Sequence, residues 1–331
     1  MNRLVDPRRN AEETFVYRPT TFNEFVGQEK VKHILRIALR ASRKNNTSID
    51  HVLFYGPPGM GKSTLASILA REQGGNFYAT SGPALTRVAD LASLFSELDF
   101  RDTFFIDEIH RIPASVEESL YPAMENFCLN IVMGKGVSAR ILKISLPFFT
   151  LVGATTRPGL LSSPLRNRFG FIFKLDFYSV KEIEEIVRAY AEALQIPSTP
   201  EAIRLIAIRG RGTPRVALRL FKRVADFARV EGNGQVEKKI AEKTLDALEI
   251  DEYGLDATDR KLLWVIAHDF QGGPAGLDTL SAILGEERDT LVDVYEPFLI
   301  KMGLLRRTPR GRVLTKKSIR LLQQISPVKY V

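Results

Sequence analysis

The sequence predicts an α/β chain that opens on a parallel sheet and closes on helices and one hairpin. Three observations carry that reading. Up to about Phe177, apolar runs alternate with stretches of helical spacing, as when strands enter one by one into a sheet covered on both faces. From Ser179 the apolar residues keep only a helical period. Near the end, three such stretches precede two short runs around Thr308-Pro309-Arg310-Gly311, the outline of a winged helix. The expected domains are residues 1–179, 180–251 and 252–331.

Composition sets the outer bounds. A chain of 331 residues, 44% hydrophobic and 26% charged, has ample core for two or three domains. No apolar stretch approaches the roughly 18 residues that a membrane span needs, and Met1 to Arg9 hold no apolar signal segment. One cysteine, Cys128, excludes an internal disulfide framework and reads as a small apolar filler in a reducing compartment, so a cytoplasmic location is expected. The net charge of +8 is unevenly spread. From Lys301 to the end there are nine basic residues and no acidic one, whereas Gly254 to Ile300 hold nine acids against Arg260, Lys261 and Arg288. A one-sign block of this kind permits binding to a polyanion.

Taken in order, residues 14–27 mix aromatics and proline without a period and read as an extended arm. Gln28 to Lys44, with apolar residues at 31, 34, 35, 38 and 39, is a helix. The apolar run His51–Tyr55 then leads into Gly56-Pro57-Pro58-Gly59-Met60-Gly61-Lys62-Ser63-Thr64, and Leu65–Glu72 leads out as a helix. A strand that delivers a glycine-rich loop to a helix N-terminus turns backbone N–H groups and the helix dipole toward a phosphate. Lys62 can reach the β- and γ-phosphates, and the Ser63 hydroxyl can ligate Mg²⁺. The chain binds a nucleoside triphosphate.

Asn76–Thr80 reads as a strand, Leu85–Leu98 as a helix, and Thr103–Glu108 as a strand ending in paired acids. That end is the edge where open α/β sheets bind ligands. Asp107 would hold Mg²⁺ and Glu108 would polarise the attacking water. His110 reads as a satisfied polar residue beside the acids, and no spacing in the chain suggests a zinc site. A helix over Ser115–Phe127 precedes a strand-rich excursion, Leu129–Ile144, with its turn at Gly134-Lys135-Gly136. Exposed apolar side chains there would suggest a protein contact. Strands at Phe148–Thr156 and Phe171–Phe177 complete the sheet. Helices follow at Val180–Leu194, Pro200–Ile208, Pro214–Val230 and Val236–Leu248, then at Asp256–His268, Leu277–Leu284 and Arg288–Met302. The closing hairpin pairs Leu304–Arg307 with Arg312–Thr315 and places Arg307, Arg310 and Arg312 on the wing. Arginines there suit phosphate contacts, which position a duplex without reading its sequence.

Gly56–Thr64, Asp107-Glu108-Ile109-His110-Arg111, Gly153–Arg157, Leu165–Gly170 and Arg211-Gly212-Thr213-Pro214-Arg215 occur in the order of an AAA+ ATPase. With Gly272–Asp278, Gly285–Arg288 and Arg307–Arg312, the chain from about Arg18 to Thr315 resembles the RuvB family of Holliday-junction branch-migration motors. The resemblance implies an ATP- and Mg²⁺-dependent hydrolase. Gly59, Gly61, Lys62, Ser63 and Thr64 would cradle the nucleotide, and Thr156 would sense its γ-phosphate. Arg168 would be the arginine finger, reaching a neighbouring subunit's site, with Arg166 the alternative. Arg215 would be the second sensor on a helical lid. Tyr17, Arg18 and Tyr178 would enclose the base end of the nucleotide, although the family commonly has Leu where Tyr17 stands and Tyr178 could equally fill core. Glu125, Asn126 and Phe127 align with a further stretch near the nucleotide.

The family further implies a homo-hexameric ring and DNA contacts at Arg307 and Arg312. It places the RuvA junction-binding protein on the 129–144 hairpin and RuvC resolvase in a larger complex. A nucleotide-switched loader or initiator, using ATP to bind DNA once, is the alternative. A protein unfoldase would want an aromatic pore loop, and none is identifiable.

Overall fold

A computed structural model describes residues 18–133 and 140–324. Its contacts divide the chain into two units, one up to Gly56 and from Met60 to Asp176, the other Pro57–Gly59 with the chain from Phe177 onward. Tyr17 and the turn Gly134-Lys135-Gly136 lie outside the described residues.

The first unit is built on a five-stranded parallel sheet. Its strands are β1 (Val52–Tyr55), β2 (Phe77–Ser81), β3 (Thr103–Asp107), β6 (Thr150–Thr155) and β7 (Phe171–Lys174), in the order β2-β3-β6-β1-β7. β1 lies between β6 and β7, with Phe54 beside Ala154 on one side and Phe173 on the other. β1 and the central β6 are buried along nearly their whole length because both faces of the sheet are covered. The helices of this unit are α1 (Glu29–Asn45), α2 (Lys62–Gln73), α3 (Val88–Phe95), α4 (Ala114–Asn126) and the short α5 (Ser163–Arg166). Phe95, Phe104, Phe149, Leu151, Leu120 and Leu165 belong to one buried cluster around the sheet.

Between α4 and β6 the antiparallel strands β4 (Cys128–Met133) and β5 (Arg140–Ser145) pair from Cys128↔Ser145 to Met133↔Arg140. Cys128 is buried, as an apolar filler would be. The apolar residues of this hairpin divide between core and solvent. Ile131 and Ile144 pack on the unit's own core, whereas Leu142 is exposed.

The second unit begins with four helices, α6 (Val180–Ala193), α7 (Pro200–Arg209), α8 (Pro214–Glu231) and α9 (Lys238–Ala247). Ser179 and Glu182 form a reciprocal cap at the start of α6, with the Ser179 amide donating to the Glu182 carboxylate at 2.7 Å. It continues with α10 (Ala257–His268), α11 (Leu277–Leu284), α12 (Arg288–Thr290), a π-helical turn over Leu291–Tyr295 and α13 (Glu296–Lys301). The wing follows as β8 (Leu305–Thr308) against β9 (Gly311–Leu314). Ala275 pairs with Arg312 through two backbone hydrogen bonds, so the hairpin is docked on its own unit. A last helix, α14 (Lys316–Gln324), was not apparent in the sequence.

A charged joint ties the two halves of this unit. Arg209 donates to the carbonyls of Ile250 and Asp251, and Arg211 donates to that of Gly254. Arg211 also meets Asp256 at 2.8 Å and the fully buried Asp259 at 2.7 Å, and its guanidinium lies over the Phe298 ring. Burial pushes the Asp259 carboxyl up to about 7, outweighing the pull of Arg211.

Candidate functional site

The sequence places a phosphate loop at the end of β1, and the backbone there adopts the shape such a loop needs. Gly56, Gly59 and Gly61 all have positive φ, at 145°, 80° and 93°. A side chain on Gly56 would drive a Cβ to 2.4 Å from the carbonyl oxygen of Leu175, so only glycine fits. Gly61 then caps α2 without a side chain of its own, leaving the helix N-terminus open toward an anion. Lys62 is 8% exposed, and its Nζ donates to the Gly56 carbonyl at 2.8 Å. Ser63 is exposed in the first turn of α2.

The tip of the loop, Pro57–Gly59, groups with the second unit. Within that unit a Cβ on Gly59 would stand 2.8 Å from the Cβ of Arg215 and 2.9 Å from Cγ2 of Thr213. Arg215 itself is exposed at the start of α8. Tyr178 is buried, and its amide donates to the Gly212 carbonyl at 2.9 Å.

Three adjacent strands bring the remaining candidates to one edge of the sheet. β3 ends in Asp107, whose exposed carboxylate accepts from the Glu108 amide at 2.9 Å. Glu108 holds left-handed backbone, φ 48° and ψ 42°, and its carboxylate pairs with Arg111 at 3.0 Å. β6, which lies between β3 and β1, ends just before Thr156, and this half-buried residue caps the same edge. His110 is indeed satisfied, its Nδ1 lying 2.9 Å from the buried Thr155 hydroxyl. A loop of backbone amides, a lysine, a hydroxyl and two carboxylates at the carboxyl ends of parallel strands suit a magnesium–triphosphate.

Arg168 follows α5 and is held in place. Its Nη2 pairs with Glu125 at 3.0 Å, its Nη1 donates to the Pro164 carbonyl, and its guanidinium lies over the Tyr121 ring. Arg166, the alternative finger, is exposed at the end of α5. In the 125–127 stretch, Glu125 is thus the partner of Arg168 and Asn126 is exposed. Phe127 packs its ring on His51, Phe148 and Phe149. Arg18 is exposed at the first described residue.

On the wing, Arg310 is exposed at the turn, while Arg307 and Arg312 both bond to Glu296. That acid, like the Glu125–Arg168 pair and the Arg211 joint, escaped the sequence. The partners lie far apart in the chain, and no local pattern announces them.

The sheet, the phosphate loop and the paired acids, followed by a helical segment and a winged helix, define a P-loop ATPase of the AAA+ class. Family models resolve the class further. The Holliday junction DNA helicase RuvB P-loop domain matches residues 17–175, the RuvB AAA lid domain 178–251, and the RuvB C-terminal winged helix domain 252–323. The chain belongs to the RuvB family. It is 51% identical to the Holliday junction branch migration complex subunit RuvB of Clostridium kluyveri over 94% of this chain and 90% of that one. It is also 51% identical to the protein of the same name from Chloroflexus aggregans, over 96% and 91%. Among solved structures, the Thermotoga maritima RuvB Holliday junction branch migration motor superposes with a TM-score of 0.84 at 47% identity, over 94% of this chain and 99% of that one.

Proposed function

We propose that this protein is the ATP-hydrolysing subunit of a Holliday-junction branch-migration machine, drawing duplex DNA through repeated nucleotide turnover. One observation carries the proposal. A phosphate loop and an Asp-Glu pair at one sheet edge share a chain with an arginine-bearing wing, and the family match runs across all of these parts. Lys62 would leave the Gly56 carbonyl for the β- and γ-phosphates. Ser63 and Asp107 would hold Mg²⁺, which supplies neutralisation of charge on the phosphate oxygens. Glu108 would orient the attacking water and draw its proton, and Thr156 would register the γ-phosphate. Gly59, Gly61 and Thr64 would complete the cradle. Arg18, Tyr178 and the 125–127 stretch would border the nucleotide, and Arg215 would sense it from the lid.

Arg168 would act on a neighbour's site. An arginine supplied in trans is worth roughly 10³–10⁵ in rate, so turnover is tied to assembly. A homo-hexameric ring in the cytoplasm, with RuvA seated on the 129–144 hairpin and RuvC in a larger complex, completes the proposal. Leu142, exposed on that hairpin, gives such a partner an apolar foothold. Among the described residues no helix is long and apolar enough to cross a membrane. The test is strand displacement from a synthetic four-way junction with and without ATP and RuvA. Steady ATP consumption with no movement of the crossover would refute the motor, whereas one turnover per binding event would favour a loader.

A further inference from the structure

The wing carries an arrangement that its charge alone does not call for. The register of β8 on β9 sets Arg307 directly opposite Arg312. Like charges placed so repel one another. Glu296, in the first turn of α13, lies against both and is 1% exposed. Its Oε1 accepts from Arg312 Nε at 2.7 Å, and its Oε2 accepts from Arg307 Nε and from Arg312 Nη2 at 3.4 Å. Arg307 Nη2 also donates to the Val292 carbonyl at 2.9 Å. These bonds engage Nε and Nη2 of each guanidinium, and among the described residues none engages Nη1 of either. The Arg307 side chain is 45% exposed and that of Arg312 is 16%.

We propose that Glu296 is the positioning residue of the wing. It locks Arg307 and Arg312 side by side, with their Nη1 edges presented as one preformed phosphate-binding pair. The proposal rests on the reading that the wing arginines meet DNA phosphates. An unrestrained arginine must give up rotamer freedom when it binds, and a side chain already fixed gives up less. A buried carboxylate in a basic block lowers net charge, so it is costly for binding unless it supplies geometry. Arginine suits the task because its rigid planar fork can hold the acid with one edge and a phosphate with the other in fixed geometry, whereas a lysine ammonium is a point charge on a flexible stem.

The two roles for this acid differ in sign. If charge alone governed binding, E296Q would tighten it. Positioning predicts that E296Q weakens binding to duplex of arbitrary sequence by roughly tenfold, the value of about one charge-assisted hydrogen bond. The slope of log affinity against log salt should also shrink by about 1 for each phosphate that the wing no longer holds. Both are read on the full-length chain by fluorescence anisotropy across a salt series, with circular dichroism as the check on folding. In an R307A/R312A background, E296Q should add no further loss. Equal or tighter binding by folded E296Q, with the slope unchanged, would overturn the positioning role. No effect of R307A and R312A themselves would instead overturn the wing as the DNA contact. Should E296Q fail to fold, R307K and R312K decide, since they keep the charge and the buried acid. Undiminished binding by both would sink the proposal.

Discussion

Glu108 sits in a conformation that non-glycine residues seldom hold, and the turn around it explains why it stays there. Its amide donates to Asp107, its carbonyl accepts from the Arg111 amide at 2.8 Å, and its carboxylate rests on the Arg111 guanidinium. Backbone held in a sparse region costs on the order of 1–3 kcal/mol and persists where the surroundings over-determine it, often at a working site. E108Q is therefore expected to keep ATP binding and lose at least about 10² in hydrolysis, the usual worth of a positioned base. Phosphate release measured beside nucleotide binding checks both halves; ordinary turnover in E108Q would remove Glu108 from the mechanism. The loop and the acid pair were legible in the sequence because their chemistry is contiguous. The pairing of Glu125 with Arg168, and Glu296 itself, were not, since each acid meets its arginine only after the chain has folded.

At the scale of elements, most of the sheet and the helices could be read in advance from periodicity. The departures have local causes. The helix expected from Leu85 begins only at Val88, because the Asp90 carboxylate takes the amides of Thr86 and Arg87 at 3.1 and 2.9 Å and fixes the start there. Before that point Gly82–Ala84 form a separate 3-10 turn with Pro83 near its start, where a missing amide costs nothing. The helix expected over Arg288–Met302 is broken by the π-helical turn at Leu291–Tyr295, a shift of hydrogen bonding that apolar spacing does not reveal. The last helix, α14, follows the wing with a strongly basic face, and its charges hid its apolar stripe.

The joint of the second unit also answers to pH. Asp259 binds its proton more tightly folded than unfolded, so its contribution is full below about pH 4 and is lost as pH rises through about 7. Thermal unfolding followed from about pH 5 to about pH 8 should show the second unit weakening with rising pH, and D259N should flatten that trend. An unchanged slope in D259N would move the effect to another group.

For the whole molecule, the decisive question is whether one protomer completes another's site. Glu125, Tyr121 and Pro164 hold the half-buried Arg168 within its own unit. K62A and R168A subunits should each be inactive alone yet recover part of the ATPase activity when mixed, because some interfaces then join an intact Lys62 to an intact Arg168. No recovery in verified mixed assemblies would confine Arg168 to its own chain.

The Arg209 and Arg211 joint has a practical corollary for dissecting the protein. A cut between residues 251 and 252, where one family match gives way to the next, severs Arg211 from Gly254, Asp256 and Asp259. One fragment keeps a carboxylate built for burial with its counter-ion gone, and the other keeps a guanidinium stripped of its carbonyl and acid. The helical segment and the winged helix should thus open together in hydrogen exchange, and a fragment ending at the apparent border should fray from the cut inward.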